Sequence, residues 1–222
     1  MIGVVGSAGD LGTQLVDYIA VSGIPLATFD PWVPTSSYES VSAVVAAAPI
    51  THWCAPLVAL EQLEYAGEPR QVILHSSVMN LSFDALVKYR RQIPDVRFNI
   101  VHCLMNGPRT VNVARGHVSR VVAEHLTESG FLVRPKTIAE HDRTAAMTQG
   151  AAMVLCELLL NEMQDIDPLD LTPSGEWLLK LLEERAMHWT DVTKQSVLRN
   201  PALKELFSPA RIEEVFQRYL NI

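Results

Sequence analysis

Two polar side chains stand at the ends of apolar runs, where an α/β protein usually places its chemistry. Ser77 follows the run 71–74, and His102 ends the run 96–101. Ligands of an open parallel sheet bind beyond the carboxyl ends of its strands, so these side chains can meet there. An imidazole with a pKa of about 6.5 can take a proton from a hydroxyl as a hydride leaves the same carbon, and a serine can orient that hydroxyl. We therefore predict a catalytic pair, although a strand-end histidine on its own is more often structural.

A glycine-rich turn near the N-terminus indicates where a cofactor would bind. A short apolar run is followed by Gly6-Ser7-Ala8-Gly9-Asp10-Leu11-Gly12 and then by the helical pattern 15–20. In the Gly-x-Gly-x-x-Gly spacing of dinucleotide-binding turns, Gly9 and Gly12 fill the second and third places, and Ser7 stands in the first. Such a turn brings the backbone and the positive end of a helix close to a pyrophosphate. The alternative is a glycine-rich turn that binds no dinucleotide.

An acidic residue supports the dinucleotide prediction. The apolar run 25–29 ends at Asp30, roughly twenty residues beyond the turn, where a carboxylate can accept hydrogen bonds from the adenosine ribose. An acid there also repels a 2′-phosphate, so we expect NAD rather than NADP. The residues expected to hold the cofactor are Gly6, Ser7, Ala8, Gly9, Asp10, Leu11, Gly12 and Asp30.

Alternating strand and helix patterns predict the scaffold for these residues. After the first two strands, we expect strands at 41–48, 71–74, 96–103, 110–114 and 131–133, and helices at 55–65, 82–91 and 115–129. This rhythm predicts an α/β fold with a doubly wound parallel sheet of the Rossmann type.

The pattern changes near residue 138, because apolar residues then recur only at helical spacing. We predict a Rossmann-type NAD-binding domain over residues 1–138 and an all-α domain over 139–222. The first long helix of the second part is apolar around most of its girth, which indicates burial on several sides. A homodimer formed through the helical domain is the simplest explanation.

Composition excludes several classes of partner. The 222 residues carry a net charge of −7 without a run of Lys or Arg, so we expect neither nucleic acid nor a membrane surface as a partner. Cys54, Cys103 and Cys156 are scattered, which predicts reduced thiols, and no residues stand at metal-ligand spacing. The first strand begins at once and no apolar run approaches the roughly twenty residues of a membrane span. We expect a cytoplasmic protein that acts on a small molecule.

Four stretches follow one another as they do in one enzyme family. The turn 6–12 resembles the family's opening turn, and Ser76-Ser77-Val78 is similar to its Thr-Ser-Val segment. The stretch 102–108, His-Cys-Leu-Met-Asn-Gly-Pro, is similar to its His-Pro-Met-Phe-Gly-Pro. Glu140-His141-Asp142 is the most specific match, since a Glu-His-Asp opens the family's helical domain. The family is that of the prephenate and arogenate dehydrogenases of tyrosine biosynthesis.

The resemblance implies an NAD-dependent oxidative decarboxylation. A hydride passes from C4 of prephenate to NAD, His102 takes the proton of the C4 hydroxyl, and the ring carboxylate leaves as carbon dioxide. Ser77 would hydrogen-bond the hydroxyl and His102, while Gly107 would shape the substrate loop. Arg185 is the candidate partner of the side-chain carboxylate, because guanidinium and carboxylate form two parallel hydrogen bonds. The alternative for Arg185 is an ion pair on a solvated helix, and Gln149 is a further candidate substrate contact.

Departures from the family's pattern keep other functions open. Met79 stands where the family commonly has a Lys, and Met153 where it commonly has a His. The His102 loop lacks the Pro after the His and is one residue longer. One alternative is a dehydrogenase acting on another cyclohexadiene acid, such as 4-amino-4-deoxyprephenate, or a different β-hydroxy-acid-type reductase. Another is a catalytically silent NAD-binding regulatory protein. His141 and Asp142 are expected to fix the junction of the two domains.

Overall fold

The computed structural model describes residues 1–32, 36–104, 109–163, 165–187, 189 and 191–220. The chain divides into two compact units, Met1–His141 and Asp142–Ile222. Every strand of the described chain belongs to the first unit, and the second unit is helical. None of the described helices combines the length and the apolar character that a membrane-spanning segment needs.

One sheet forms the centre of the first unit. Its strands in the described residues are β1 (Ile2–Val5), β2 (Leu26–Phe29), β3 (Ile50–Trp53), β4 (Arg70–His75), β5 (Val96–Leu104), β6 (Thr110–Ala114) and β7 (Leu132–Lys136). They lie in the order β2-β1-β3-β4-β5-β6-β7, and all neighbouring pairs are parallel except β5 and β6. The carboxyl ends of β1, β3, β4 and β5 therefore meet at one edge, where such sheets bind ligands. The predicted α/β fold with a doubly wound sheet is confirmed.

Helices cover both faces of this sheet. On one face, α1 (Asp10–Val21) and α4 (Arg120–Glu128) pack on strand residues such as Ile73. On the other face, α2 (Val41–Ala47) and α3 (Met79–Tyr89) pack on residues such as Leu74. Neighbouring residues of a strand point to opposite faces, so β4 is buried on both sides, which explains its continuous apolar sequence.

The apolar run 41–48 is a helix, so the prediction of a strand there is wrong. The hydroxyl of Ser40 caps α2 by accepting a hydrogen bond from a first-turn N–H at 3.2 Å. Val41, Val44 and Val45 have the spacing of one helix face and are buried against the sheet. The strand follows instead at β3. A short apolar run before a proline suits either element, and here the serine cap favours the helix.

Other predicted elements differ mainly in their bounds. The helix expected at 55–65 is a short 3-10 helix, Leu57–Gln62. The helix expected at 115–129 begins only at Arg120, because Gly116 turns the chain with a φ of +80° and Ser119 caps the helix. The predicted strand at 110–114 is confirmed, but it runs antiparallel to β5.

The regular elements described beyond residue 138 are all helices, in agreement with the predicted all-α part of the fold. The elements of the second unit begin with α5 (Ile138–Ala145), which crosses the unit boundary, and continue with α6 (Ala151–Met163), α7 (Pro173–Met187), α8 (Asp191–Leu198), α9 (Pro201–Leu206) and α10 (Pro209–Leu220). A π-helical turn, Ala146–Gly150, joins α5 to α6. Buried Asn200 caps α9 and donates a hydrogen bond to the carbonyl oxygen of Asp142 at 2.8 Å, which ties α9 to α5.

Candidate active site

Three glycines shape the turn between β1 and α1, each for a different reason. Gly6 has a φ of +81°, and a Cβ there would lie 2.5 Å from the backbone nitrogen of Ala55. A Cβ at Gly12 would lie 1.9 Å from the carbonyl oxygen of Gly6. A Cβ at Gly9 would meet only that oxygen, at 3.7 Å, and the φ of Gly9 is an ordinary −71°. Packing therefore requires Gly6 and Gly12, whereas Gly9 leaves open space, as close approach of a phosphate to the backbone requires.

The tight turn is made by Gly6, with its φ of +81°, rather than by Ser7, which occupies the first position of the Gly-x-Gly-x-x-Gly spacing. The observed spacing is thus Gly-x-x-Gly-x-x-Gly. Gly9 is the N-cap of α1, and no side chain caps this helix among the described residues. The first-turn N–H groups, including those of Asp10 and Leu11, therefore lie at an uncapped positive helix end, which favours an anion.

Asp30 connects the glycine turn to the end of β2. Its buried carboxylate accepts hydrogen bonds from the N–H of Ala8 through Oδ2 and from the N–H of Trp32 through Oδ1, each at 3.0 Å. Asp30 also borders a cleft of about 560 Å³ that Gly9 and Val58 help to line. Each carboxylate oxygen can accept a further hydrogen bond. Asp30 thus shapes the turn and can still bind ribose hydroxyls in the cleft, so these residues fit the adenosine half of a dinucleotide.

His102 lies near the carboxyl end of β5 and is half-buried. Its Nδ1 is 2.9 Å from Nε2 of His141, and the two rings meet edge to face with their centroids 5.1 Å apart. His141 is only 2% exposed, and both residues belong to the first unit. An imidazole held at the ligand-binding edge of a sheet can exchange a proton with a bound hydroxyl group.

The contact between His141 and His102 is not predicted from the sequence, where the Glu-His-Asp resemblance places His141 at the junction of the domains. The available signal was Thr137-x-x-Glu140, which indicates that a helix starts at 137 and so places His141 in its first turns.

Ser77 lies two residues beyond β4, the strand next to β5. The N–H of Ser76 donates a hydrogen bond to the carbonyl oxygen of Val101 at 3.1 Å, which keeps this segment beside β5. Ser77 is partly exposed, and among the described residues no hydrogen bond joins it to His102. The fold brings the two side chains to neighbouring strand ends without the direct bond that sequence analysis expected.

Three further histidines form a hydrogen-bonded group, here called the histidine chain: His125, His52 and His75. His52 Nδ1 is 2.9 Å from His75 Nε2, and His52 Nε2 is 3.1 Å from His125 Nε2. Burial lowers the pKa of His75 to about 3, with a further contribution from the charge of His102. Burial likewise lowers the pKa of His52 well below its ordinary value. These imidazoles are therefore neutral. Among the described residues, no group of His, Cys, Asp and Glu side chains is arranged to hold a metal ion.

The structure does not test three predicted substrate contacts. Gly107 lies outside the described residues. Arg185 belongs to α7 of the second unit, and its side chain also lies outside the described part of the chain. Gln149 lies in the π-helical turn of the second unit and is partly exposed. The roles of these three residues remain predictions.

The two methionines that depart from the family's pattern are core residues. Met79 is fully buried and packs with Ile100 and Ala114. Met153 is 2% exposed in the second unit. Neither position offers a polar group, so any polar contact that the family makes from these positions is absent here.

No protein-family model and no curated protein sequence matches the chain. Solved structures do match. Prephenate dehydrogenase from Aquifex aeolicus, in complex with hydroxyphenyl propionate and NAD+, is 15% identical, with 99% of this chain and 87% of that chain covered and a TM-score of 0.73. Synechocystis arogenate dehydrogenase is 16% identical, with coverages of 99% and 89% and a TM-score of 0.56. A variant imine reductase from Myxococcus stipitatus, in complex with NAD+, is 13% identical, with coverages of 84% and 72% and a TM-score of 0.57. At these identities the likeness shows the fold.

Proposed function

We propose that the protein is an NAD-dependent dehydrogenase that oxidatively decarboxylates prephenate or arogenate. One observation carries the proposal: the glycine turn after β1 and His102 on β5 stand at the same edge of a parallel sheet. The glycine turn would hold the pyrophosphate of a dinucleotide at the same edge of the sheet as the base. The motif resemblance supports prephenate or arogenate as the substrate, and the fold shared with the solved dehydrogenases agrees with it.

One set of residues binds the cofactor, and another contacts the substrate. Gly6, Gly9 and Gly12 form the phosphate turn, and Asp30 binds the adenosine ribose, which favours NAD over NADP. When bound, the cofactor supplies the hydride acceptor. His102 takes the proton of the substrate hydroxyl as that carbon gives up its hydride, and Ser77 orients the hydroxyl.

Loss of the ring carboxylate as carbon dioxide completes the reaction. Its electron pair aromatises the ring, and the oxygen regains the proton that His102 took. The products from prephenate are 4-hydroxyphenylpyruvate, carbon dioxide and the reduced cofactor. Aromatisation makes the reaction effectively irreversible. His102 accepts one proton and returns it, so it ends the reaction in its starting protonation state.

The second unit would supply the remaining substrate contacts and the subunit interface. We assign the side-chain carboxylate to Arg185 and a further polar contact to Gln149, both of the second unit, and the shape of the substrate loop to Gly107 of the first unit, all on the family resemblance. A homodimer through the helical unit is supported by α6, where Leu155, Leu158 and Leu159 are 50%, 53% and 40% exposed. A cytoplasmic location belongs to the same proposal.

A second candidate is a catalytically silent NAD-binding regulatory protein. It is favoured by the buried apolar side chain of Met79, which stands where the family commonly has a lysine. This candidate predicts NAD binding without turnover.

The test is a substrate panel read out by the absorbance of NADH. Purified protein with NAD is given prephenate, arogenate or 4-amino-4-deoxyprephenate, with wild type compared with His102→Asn. We expect turnover with prephenate or arogenate and a loss of about 10²–10⁴-fold in kcat in the variant, as for removal of a general base. His117→Asn is the matched control. The ring of His117 packs on Phe83 of α3, so this substitution should leave turnover unchanged. Binding of NAD without turnover of any of the three acids would support the regulatory protein, and absence of NAD binding would overturn both candidates.

A further inference from the structure

The contact between His102 and His141 determines which nitrogen of His102 can act as a base. Their Nδ1 and Nε2 atoms are 2.9 Å apart, so one of the two atoms donates and the other accepts. If Nδ1 of His102 carries the hydrogen, its Nε2 presents a lone pair. If Nε2 of His141 carries the hydrogen, His102 bears its own hydrogen on Nε2 and cannot take a proton there. The catalytic proposal is compatible only with the first arrangement.

The start of α5 holds the ring of His141 in place. Thr137 and Glu140 form a capping box: the carboxylate of Glu140 accepts hydrogen bonds from the N–H and the hydroxyl of Thr137, each at 2.8 Å. In return, the hydroxyl of Thr137 accepts a hydrogen bond from the N–H of Glu140 at 3.2 Å. The next residue is His141, whose N–H donates to the carbonyl oxygen of Thr137 at 3.0 Å. The Glu of the Glu-His-Asp sequence therefore fixes the helix start, and the His faces β5.

We propose that His141 is a positioning residue that accepts a hydrogen bond from Nδ1 of His102 and thereby fixes His102 in the tautomer whose Nε2 is the base. This proposal rests on the proposed function only for the use of that lone pair. In many enzymes a carboxylate orients the base, whereas here the partner is an imidazole with a single acceptor nitrogen. The partner must therefore be neutral to act, because a protonated imidazole has no acceptor nitrogen.

The direct test is the tautomer of His102, read from the ring ¹⁵N chemical shifts of histidine-labelled protein without substrate. We expect the Nδ1–H form in wild type. His141→Gln places an amide oxygen near the former Nε2 position and should retain this form. His141→Leu, which offers no acceptor, should shift His102 toward the Nε2–H form. His141→Asn serves as a second variant in case His141→Leu does not fold. Its side chain is too short to reach Nδ1 of His102, so it should also shift His102 toward the Nε2–H form.

A matched control separates positioning from mere support of the helix. Thr137→Ala removes half of the capping box but leaves the imidazole of His141, so it should lower Tm without changing the tautomer of His102. In turnover assays, His141→Leu should lower kcat by about 10²-fold or more with little change in KM, and His141→Gln should restore most of it. An Nε2–H tautomer in wild type, or an unchanged tautomer in both His141→Leu and His141→Asn, would overturn the proposal. Because the tautomer is measured without substrate, a failure of the dehydrogenase assignment would show separately, as absent turnover in wild type.

Discussion

Replacing Asp30 by Asn tests the cofactor preference, because it removes one negative charge and changes the shape of the side chain little. In the structure the carboxylate accepts hydrogen bonds from the N–H groups of Ala8 and Trp32, each at 3.0 Å. An asparagine has one acceptor oxygen, so it can satisfy one of these donors. Trp32 is 88% exposed, so its N–H can turn to water while the bond to Ala8 is kept. The variant should therefore fold, with a modest fall in Tm.

The expected change in cofactor affinity follows from the lost charge. A hydrogen bond to a charged group contributes about 1.5–3 kcal/mol, against about 0.5–1.5 kcal/mol for a neutral pair. The difference of about 1–1.5 kcal/mol for one ribose hydroxyl corresponds to a roughly tenfold rise in the Kd of NAD. The affinity for NADP should rise at the same time, because the charge that repels the 2′-phosphate is gone. The ratio of the two affinities should thus move by more than tenfold toward NADP.

Calorimetric titration of wild type and variant with NAD and with NADP measures these affinities directly. Asp17→Asn is the matched control, since Asp17 is an exposed residue of α1 and its loss changes the net charge equally. It should leave both affinities near their wild-type values. The reasoning would be refuted if Asp30→Asn bound both cofactors as wild type does, or if Asp17→Asn shifted the preference as strongly.

Further predictions concern the glycine turn and the histidine chain. Gly12→Ala should destabilise the protein by about 1–3 kcal/mol, because its Cβ would lie 1.9 Å from a carbonyl oxygen. Gly9→Ala should leave stability nearly unchanged and weaken NAD binding, and equal losses of Tm in the two variants would contradict the assignment of their roles. The pKa of His75 is lowered to about 3, so below a pH of about 6.5 the unfolded chain takes up a proton that the folded protein does not. Between a pH of about 6.5 and about 3, stability should therefore fall with decreasing pH by about 1.4 kcal/mol per pH unit for this residue, which urea unfolding at several pH values would measure. His75→Leu should reduce the dependence of stability on pH. An unchanged dependence would contradict the conclusion that His75 is neutral in the histidine chain.

The alternation of strands and helices could be predicted from the sequence because each element carries its own period or its own terminal residues. The run 41–48 shows the limit. A short, largely apolar run before a proline suits a buried strand and a buried helix equally. The hydrogen bond of Ser40 and the packing of α2 on the sheet decide for the helix. The antiparallel direction of β6 could not be predicted either. Strand direction depends on the path of the connecting loop, and the hydrophobic pattern of a strand is the same in both directions.

The candidate site was predictable in its residues and less so in their contacts. The glycine turn, Asp30 and His102 stand out by type and position, because strand ends and turns are where such residues serve ligands. The pairing of His102 with His141 joins residues 39 positions apart, and no local pattern encodes that contact. Asp30 illustrates the same gap: the sequence suggests its ribose contact, whereas only the structure shows that it also holds the turn through Ala8.

The most direct test of the central claim is a crystal structure of the protein with NAD and the product 4-hydroxyphenylpyruvate. We predict that the pyrophosphate lies on the turn at Gly9, that the ribose contacts Asp30, and that the nicotinamide end reaches the strand ends with the product hydroxyl at Nε2 of His102. A cofactor bound elsewhere, or a product far from His102, would contradict the assignment of this protein as a dehydrogenase.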